Sequence, residues 1–373
     1  MPCLRLHRPI WLLLAVTGSL GSLPALAGGW HQSISLPITL EYDTNPTLSS
    51  TDKTELWRAR FGPAYNLTGT FGLDEFKAGL GVMIERPSDR NVVAARQDPN
   101  LALGWRRQTE TGEYGLTAKY DKASTQSTEL QETGRVVRDG TRTTKSLLGN
   151  WRSAISERST LAADAQHTAV AYDSGTSTSY KNLSTGLTFS HAWSARAEPF
   201  LRVSASRYEP DSTLVSSSNL YTVMGGLKYL SSENLEWTAQ AGVARVSGSA
   251  SDTGWLGSFV MRYVAARSDY SLDIGRSVAP SGEGGFIQSD QAKGAWTYSI
   301  DALTRAGLDA SVRKTKGTSP NTMHLLGAWV SHDLSHFWSS RLYYQYKQRQ
   351  QTGQDNASAN VLGVTLVYTH PDF

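Results

Sequence analysis

Residues 76–85, Phe76-Lys77-Ala78-Gly79-Leu80-Gly81-Val82-Met83-Ile84-Glu85, change character at every step. Phe76, Ala78, Leu80, Val82 and Ile84 fall on one side, and Lys77, Gly79, Gly81, Met83 and Glu85 on the other. A period of two belongs to a β-strand, whose successive side chains point to opposite faces. A helix would bring Lys77 onto the face of Leu80 and Gly81 and lose that separation.

Working outward, the pattern recurs. Ile34, Leu36, Ile38, Leu40 and Tyr42 alternate with Ser35, Pro37, Thr39 and Glu41. Tyr114, Leu116, Ala118 and Tyr120 do the same, as do Tyr270, Leu272 and Ile274, and later Leu342, Tyr344 and Tyr346. Such alternation predicts about eighteen strands, with sixteen as the alternative count. The first nine spans are 33–43, 55–68, 75–86, 99–108, 113–121, 143–153, 159–172, 180–191 and 198–208. The others are 219–230, 235–247, 254–265, 269–277, 290–301, 306–313, 322–332, 338–348 and 358–369; alternation slips within 143–153 and 322–332.

Joins after odd-numbered strands are mostly long, 44–54, 87–98, 122–142 and 278–289 being the largest, while joins after even-numbered strands are short. Long loops at one end and short turns at the other, with an even strand number, are the habit of an outer-membrane barrel. A soluble sandwich also alternates, but fills its inner face with Val, Ile and Leu. Here Ala, Gly, Tyr and Trp are frequent on the apolar side, and aromatics gather at strand ends. Trp105, Trp237 and Trp338 fall by short turns and Trp57 and Trp255 by long loops, the placing of two aromatic girdles. The fold class read from the sequence is therefore all-β, a transmembrane antiparallel up-and-down barrel in which the sheet closes because a bilayer tolerates no unpaired edge.

Composition agrees. No apolar run after the N-terminus approaches the length of a spanning helix. Mean hydropathy is −0.36. The 36 basic residues among 33 acidic ones are scattered, which argues against nucleic acid as a partner. Arg5 and Arg8, the apolar run 10–16 and Ala25-Leu26-Ala27 read as a cleaved signal peptide over residues 1–27, leaving a single barrel domain over 28–373. Cleavage removes two Arg and no acid, so the net charge falls from +3 to +1. It also removes Cys3, the single cysteine, and with it any thiol chemistry. The expected location is the outer membrane of a Gram-negative bacterium, with no cofactor or metal.

On the polar face, assigned to the lumen, stand the bases Arg58, Arg60, Lys77, Arg106, Lys119, Arg202, Lys228, Arg262, Arg313, Arg341 and Lys347. The acids there are Glu41, Glu85, Asp121, Asp164, Glu236, Asp273 and Asp309, a balance that favours anionic solutes mildly. His332 and His336 stand four apart in a turn segment rather than on a helix, and no nucleophile elbow is present, so no enzyme is read here. The chain ends on an alternating strand and Phe373, which resembles the signal read by the barrel assembly machinery, although Phe373 is out of phase and follows Pro371.

Several segments resemble the β-barrel porin families encoded with bacterial exopolysaccharide assembly systems. Tyr42-Asp43-Thr44-Asn45 is similar to their tyrosine–aspartate–x–asparagine end of strand one. Turn-plus-strand units at 154–161, 229–235 and 333–338 match in kind, and Arg276 to Gly282 looks like their Arg-x-x-x-Pro-Ser-Gly loop. The resemblance implies an outer-membrane pore through which a polysaccharide leaves the cell. Its implied partners are a periplasmic polysaccharide export protein and an inner-membrane co-polymerase. Tyr208 and Tyr343 would then stack on sugar rings. The alternative is a general diffusion or sugar-specific porin, which would fold a long loop into its lumen; 122–142, carrying Arg135, Arg138 and Arg142, is the candidate. A structural or adhesive envelope protein is a third reading.

Overall fold

The alternating segments become the staves of one closed wall. The computed structural model describes residues 29–132, 139–175, 177–248, 252–317 and 320–371. The signal-peptide reading, Cys3, Phe373, Arg135 and Arg138 lie outside the described residues. The strands begin with β1 (Gly29–Asp43), β2 (Leu56–Phe61), β3 (Ala64–Phe71), β4 (Asp74–Pro87), β5 (Arg96–Gln108) and β6 (Gly112–Ser124). After helix α1 (Thr125–Glu132) come β7 (Thr141–Ala154), β8 (Ser159–Tyr172), β9 (Tyr180–His191), β10 (Ala197–Pro210), β11 (Ser218–Ser232) and β12 (Leu235–Ser247). The wall continues with β13 (Asp252–Val264), β14 (Ser268–Ser281), β15 (Gly285–Ser299) and β16 (Thr304–Lys316). It ends with β17 (Asn321–Asp333), β18 (Trp338–Gln351) and β19 (Ala357–Pro371).

Each strand runs antiparallel to its neighbours, and β1 closes the sheet on β19 from Ser33 opposite Pro371 to Asp43 opposite Val361. β2 and β3 are two halves of one stave. Ile38 faces Phe61 and Ile34 faces Tyr65, so no residue is gained or lost across the gap. Pro63 has no N–H to give the ladder, and Pro37, opposite Gly62, has none either, although its carbonyl accepts from the Gly62 N–H at 3.0 Å. The wall is therefore an eighteen-stranded antiparallel barrel.

Most strands exceed the predicted spans by one to four residues. The largest correction concerns 278–289, expected as a long loop. β14 runs on to Ser281 and β15 restarts at Gly285, so the join is a tight hairpin tip in which Gly284 adopts φ 97°. Gly284 and its neighbour supply the conformations that let the chain reverse there.

The outer face is apolar and open: Ile38, Leu40, Leu80, Leu308, Leu326, Leu342 and Val364 are each about half exposed. So continuous an apolar belt exceeds the patches of soluble monomers and requires a non-aqueous neighbour. The buried residues gather instead inside the barrel at its long-loop end. Leu48, Met323, Ala357 and Ala359 form one cluster, Val170, Tyr180 and Tyr208 a second, and Leu220, Ala244 and Leu256 a third.

Candidate functional site

At the long-loop end the helix α1 occupies part of the mouth of the barrel. Its sequence, Thr-Gln-Ser-Thr-Glu-Leu-Gln-Glu, has one large apolar side chain, yet Thr125, Gln126 and Glu129 are buried. The helix lies inside the wall rather than on it. Gln126 donates to the Pro46 carbonyl at 2.9 Å, and Leu130 packs on the Leu48–Met323 cluster across the lumen. Tyr172 of β8 donates to Glu129 at 2.7 Å, and Arg142 of β7 bonds Glu132 at 2.5 Å. Buried polar groups need partners of this kind.

Beside α1 remains a cavity of about 860 Å³. Glu41, Arg58, Arg60, Glu85, Asp121, Arg313 and Lys347, all on the face predicted to point inward, border it. Five of them join Asp43, which is outside the set of lumen candidates, and the hydroxyl of Tyr343 in one network at the β18–β19–β1–β2 seam. Arg58 bonds Glu41, reaches Asp43 at 2.9 Å and stands 3.7 Å from Glu85. Arg60 is 3.2 Å from Glu41 and 3.6 Å from Glu85. Lys347 approaches Asp43 at 3.4 Å, and Tyr343 donates to Glu41 at 2.7 Å. Three carboxylates face three cations, so the network neutralises itself while remaining strongly dipolar. Asp43 was legible: it stands two residues beyond Glu41 on the same strand face.

The remaining lumen candidates are dispersed, and all lie on the strand face opposite the apolar belt. Lys77 and Arg106 both reach Glu75, the latter at 2.7 Å. Arg202 pairs with Asp164 at 2.8 Å, and Lys228 with Glu236 at 3.0 Å. Arg313 donates to Gln291 at 2.8 Å. Arg341 stacks 4.2 Å over Trp329, whose indole donates to Asp309. Lys119, Arg262 and Asp273 make no ion pair among the described residues. Trp329 was missed because it sits where the alternation of 322–332 slips: it is an aromatic on the inner face.

The β14–β15 tip also turns inward. Phe286 lies 6.0 Å from the ring of Tyr208, and Tyr208 donates to the Ser281 carbonyl at 3.2 Å. A side chain on Gly282 would collide with Tyr172, whose hydroxyl oxygen lies 2.8 Å from the position of its first carbon. Tyr208 is consequently fully buried, which corrects the expectation that it offers a ring to sugars. Tyr172 touches both inward elements, α1 through Glu129 and the hairpin through Gly282.

The girdle candidates lie on the outer face. Trp57 packs on Tyr42 at 5.0 Å, Trp237 on Tyr229 at 5.3 Å and Trp338 on Tyr368 at 5.1 Å. Trp105 donates to Asp74 at 3.0 Å, and Trp255 is more than half exposed. His332 meets Thr304 at 2.9 Å while His336 edges onto Phe337, so the two histidines do not converge.

No protein-family model matches the chain, and no curated relative does. Solved structures do. OpdK, an outer-membrane protein of Pseudomonas aeruginosa, superposes with a TM-score of 0.51 at 10% identity, over 91% of this chain and 99% of OpdK. OccK2 of the same organism, solved with glucuronate, gives 0.51 at 10% identity, over 91% and 98%. The copper transporter OprC gives 0.52 at 12% identity over 88% of this chain; the chain spans 64% of the length of OprC. At these identities the likeness establishes the eighteen-stranded porin fold.

Proposed function

We propose that the protein is a non-catalytic outer-membrane channel that admits small polar solutes through a lumen narrowed by its own folded-in loop. The observation that carries this reading is α1, a polar helix buried inside the barrel with an 860 Å³ cavity beside it. An eighteen-stranded wall alone would leave a wide aqueous channel. With α1 and the β14–β15 tip inside, a solute passes one small unit at a time. A polysaccharide would need both elements to leave, so the fold favours the porin over the export pore that the sequence resemblance implies. Lys293 makes no ion pair among the described residues, and it borders the cavity with Arg313. That side of the lumen suits acidic sugars of the glucuronate class found with OccK2.

The test is conductance of the purified barrel in planar bilayers, compared with a variant lacking residues 125–132. Removing α1 should raise conductance several-fold and let larger sugars enter proteoliposomes. Equal conductance and equal size cut-off would overturn the reading. In cells, deletion of the gene should impair uptake of small acidic solutes and leave surface polysaccharide intact; the reverse result supports export.

A further inference from the structure

The outer face has an order of its own. Aromatic residues stand near both strand ends, an apolar stretch lies between them, and basic residues join the aromatics where the long loops begin. At that upper border the outward side chains include Lys145, Lys181, Arg207, Arg245, Arg276 and Lys314. The outward acids at this level in the described strands are Glu209 and Asp290. Each is already engaged, Glu209 by Arg207 at 2.7 Å and Asp290 by Arg276 at 2.5 Å. The collar therefore carries surplus positive charge directly above an apolar belt.

Between β13 and β16 the outer surface dips below the collar. Gly257 has no side chain and Ala292 a small one, so Trp255, Phe259, Ile274 and Val312 border a cavity of about 480 Å³. Arg276 and Lys314 stand at its edge. Arg276 stacks 4.0 Å over Trp255 and turns Nε and Nη2 to Asp290, which leaves Nη1 for another acceptor. Lys314 makes no ion pair among the described residues. An apolar trench ending under two cations fits an amphiphile whose phosphate sits directly above its acyl chains.

We propose that this face binds a phosphorylated glycolipid of the lipid A type, with an acyl chain along the trench and a phosphate between Arg276 and Lys314. The other collar bases meet further phosphates of the same leaflet. The proposal rests on reading the barrel as lying in an outer membrane with its long loops outside.

Native mass spectrometry of the purified barrel in neutral detergent tests it, with three titrants: bisphosphorylated lipid A, the same lipid without its phosphates, and phosphatidylglycerol. The wild-type barrel should retain bisphosphorylated lipid A in preference to the other two. Lys314→Gln should weaken that binding about fivefold, the order of one cation at an anionic lipid surface, and adding Lys316→Gln, two residues further along the same outward phase of β16, should weaken it further. Neither change should alter conductance, because both side chains point away from the lumen. Equal binding of the dephosphorylated lipid or of phosphatidylglycerol overturns the proposal, as does unchanged binding by Lys314→Gln. Insertion into phosphatidylcholine bilayers is measured in parallel. A barrel that fails to insert removes the membrane reading and the proposal together, whereas insertion without lipid preference removes the proposal alone.

Discussion

Asn45 shows how much one side chain can hold in place. Its side-chain oxygen accepts from the Ser49 N–H at 3.0 Å, and its amide donates to the carbonyls of Ser49 at 2.8 Å and Ser358 at 3.1 Å. The closed loop forces Leu48 into the left-handed region at φ 45°, a conformation costing about 1–2 kcal/mol for a residue with a Cβ. The cost is offset by burying Leu48 against Met323, Ala357 and Ala359. The Tyr-Asp-x-Asn end of strand one is thus structural, with Asp43 engaging Arg58 and Lys347 while Asn45 fixes the loop. Asn45→Ala should lower the temperature at which the barrel loses its folded gel mobility, at about 1 kcal/mol per lost bond. Asn45→Asp, which keeps the acceptor and loses the donor, should fall between. Equal midpoints for all three would deny the loop this role. Arg58 is the second sensitive residue. Arg58→Met leaves Glu41, Asp43 and Glu85 facing only Arg60 and Lys347. Breaking a buried network this way costs about 3–5 kcal/mol, and the surplus carboxylate should shift the reversal potential in a salt gradient toward cations. An unshifted potential would place the network outside the ion path.

Among the elements, the wall was legible and its contents only in part: the length of the join 122–142 marks it as the segment to fold inward, but not the helix within it. Ile34 to Tyr42 and Phe76 to Glu85 alternate because each strand has lipid-type surroundings on one side and polar ones on the other, so parity alone assigned Glu41, Arg58 and Lys347 to the inner face. α1 left no such trace, since a helix buried among polar partners needs no apolar stripe and Leu130 is its one large apolar residue. The β14–β15 tip reads as a loop in the sequence because outward alternation ends at Ile274, and Arg276 occupies the next apolar-phase position. Pro280 and the glycines then read as loop residues although the ladder continues to Ser281 opposite Gly285. Tyr172 is where these hidden elements meet. Tyr172→Phe takes from the buried Glu129 carboxylate one of its partners, a loss on the order of 1–3 kcal/mol. Single-channel records of that variant should show brief openings to a larger conductance as α1 leaves its seat. Pairing it with Glu129→Leu removes the buried carboxylate that loses this bond and should restore most of the quiet baseline. A Tyr172→Phe trace identical to wild type would mean that α1 is held without this bond.

At the scale of the whole molecule, loop length and the packing inside the barrel break its symmetry in the same direction. Strands such as β1 and β11 have 15 residues, about 50 Å of extended chain, where roughly ten suffice to cross a bilayer. Aromatic residues stand within a few residues of both strand ends, Trp105, Trp237 and Trp338 by the short turns and Trp57 and Trp255 by the long loops, so the contents of the barrel and not its strands distinguish the two ends. The long-loop end holds the buried clusters, α1 and the inward hairpin. A mean hydropathy of −0.36 is what such a molecule must have, because only the outward side of the lower wall needs to be apolar. The asymmetry also fixes an orientation, since a barrel inserts with its short turns toward the periplasm and its elaborated loops outside. An epitope tag placed in the loop between β10 and β11, where Leu214 is almost fully exposed, should therefore bind antibody on intact cells. The same tag in the turn between β13 and β14 should be reached only after the outer membrane is opened. The reverse pattern would place α1 and the basic collar on the periplasmic side. The narrowing would then guard the exit from the channel rather than its entrance, and the collar would face phospholipid instead of glycolipid.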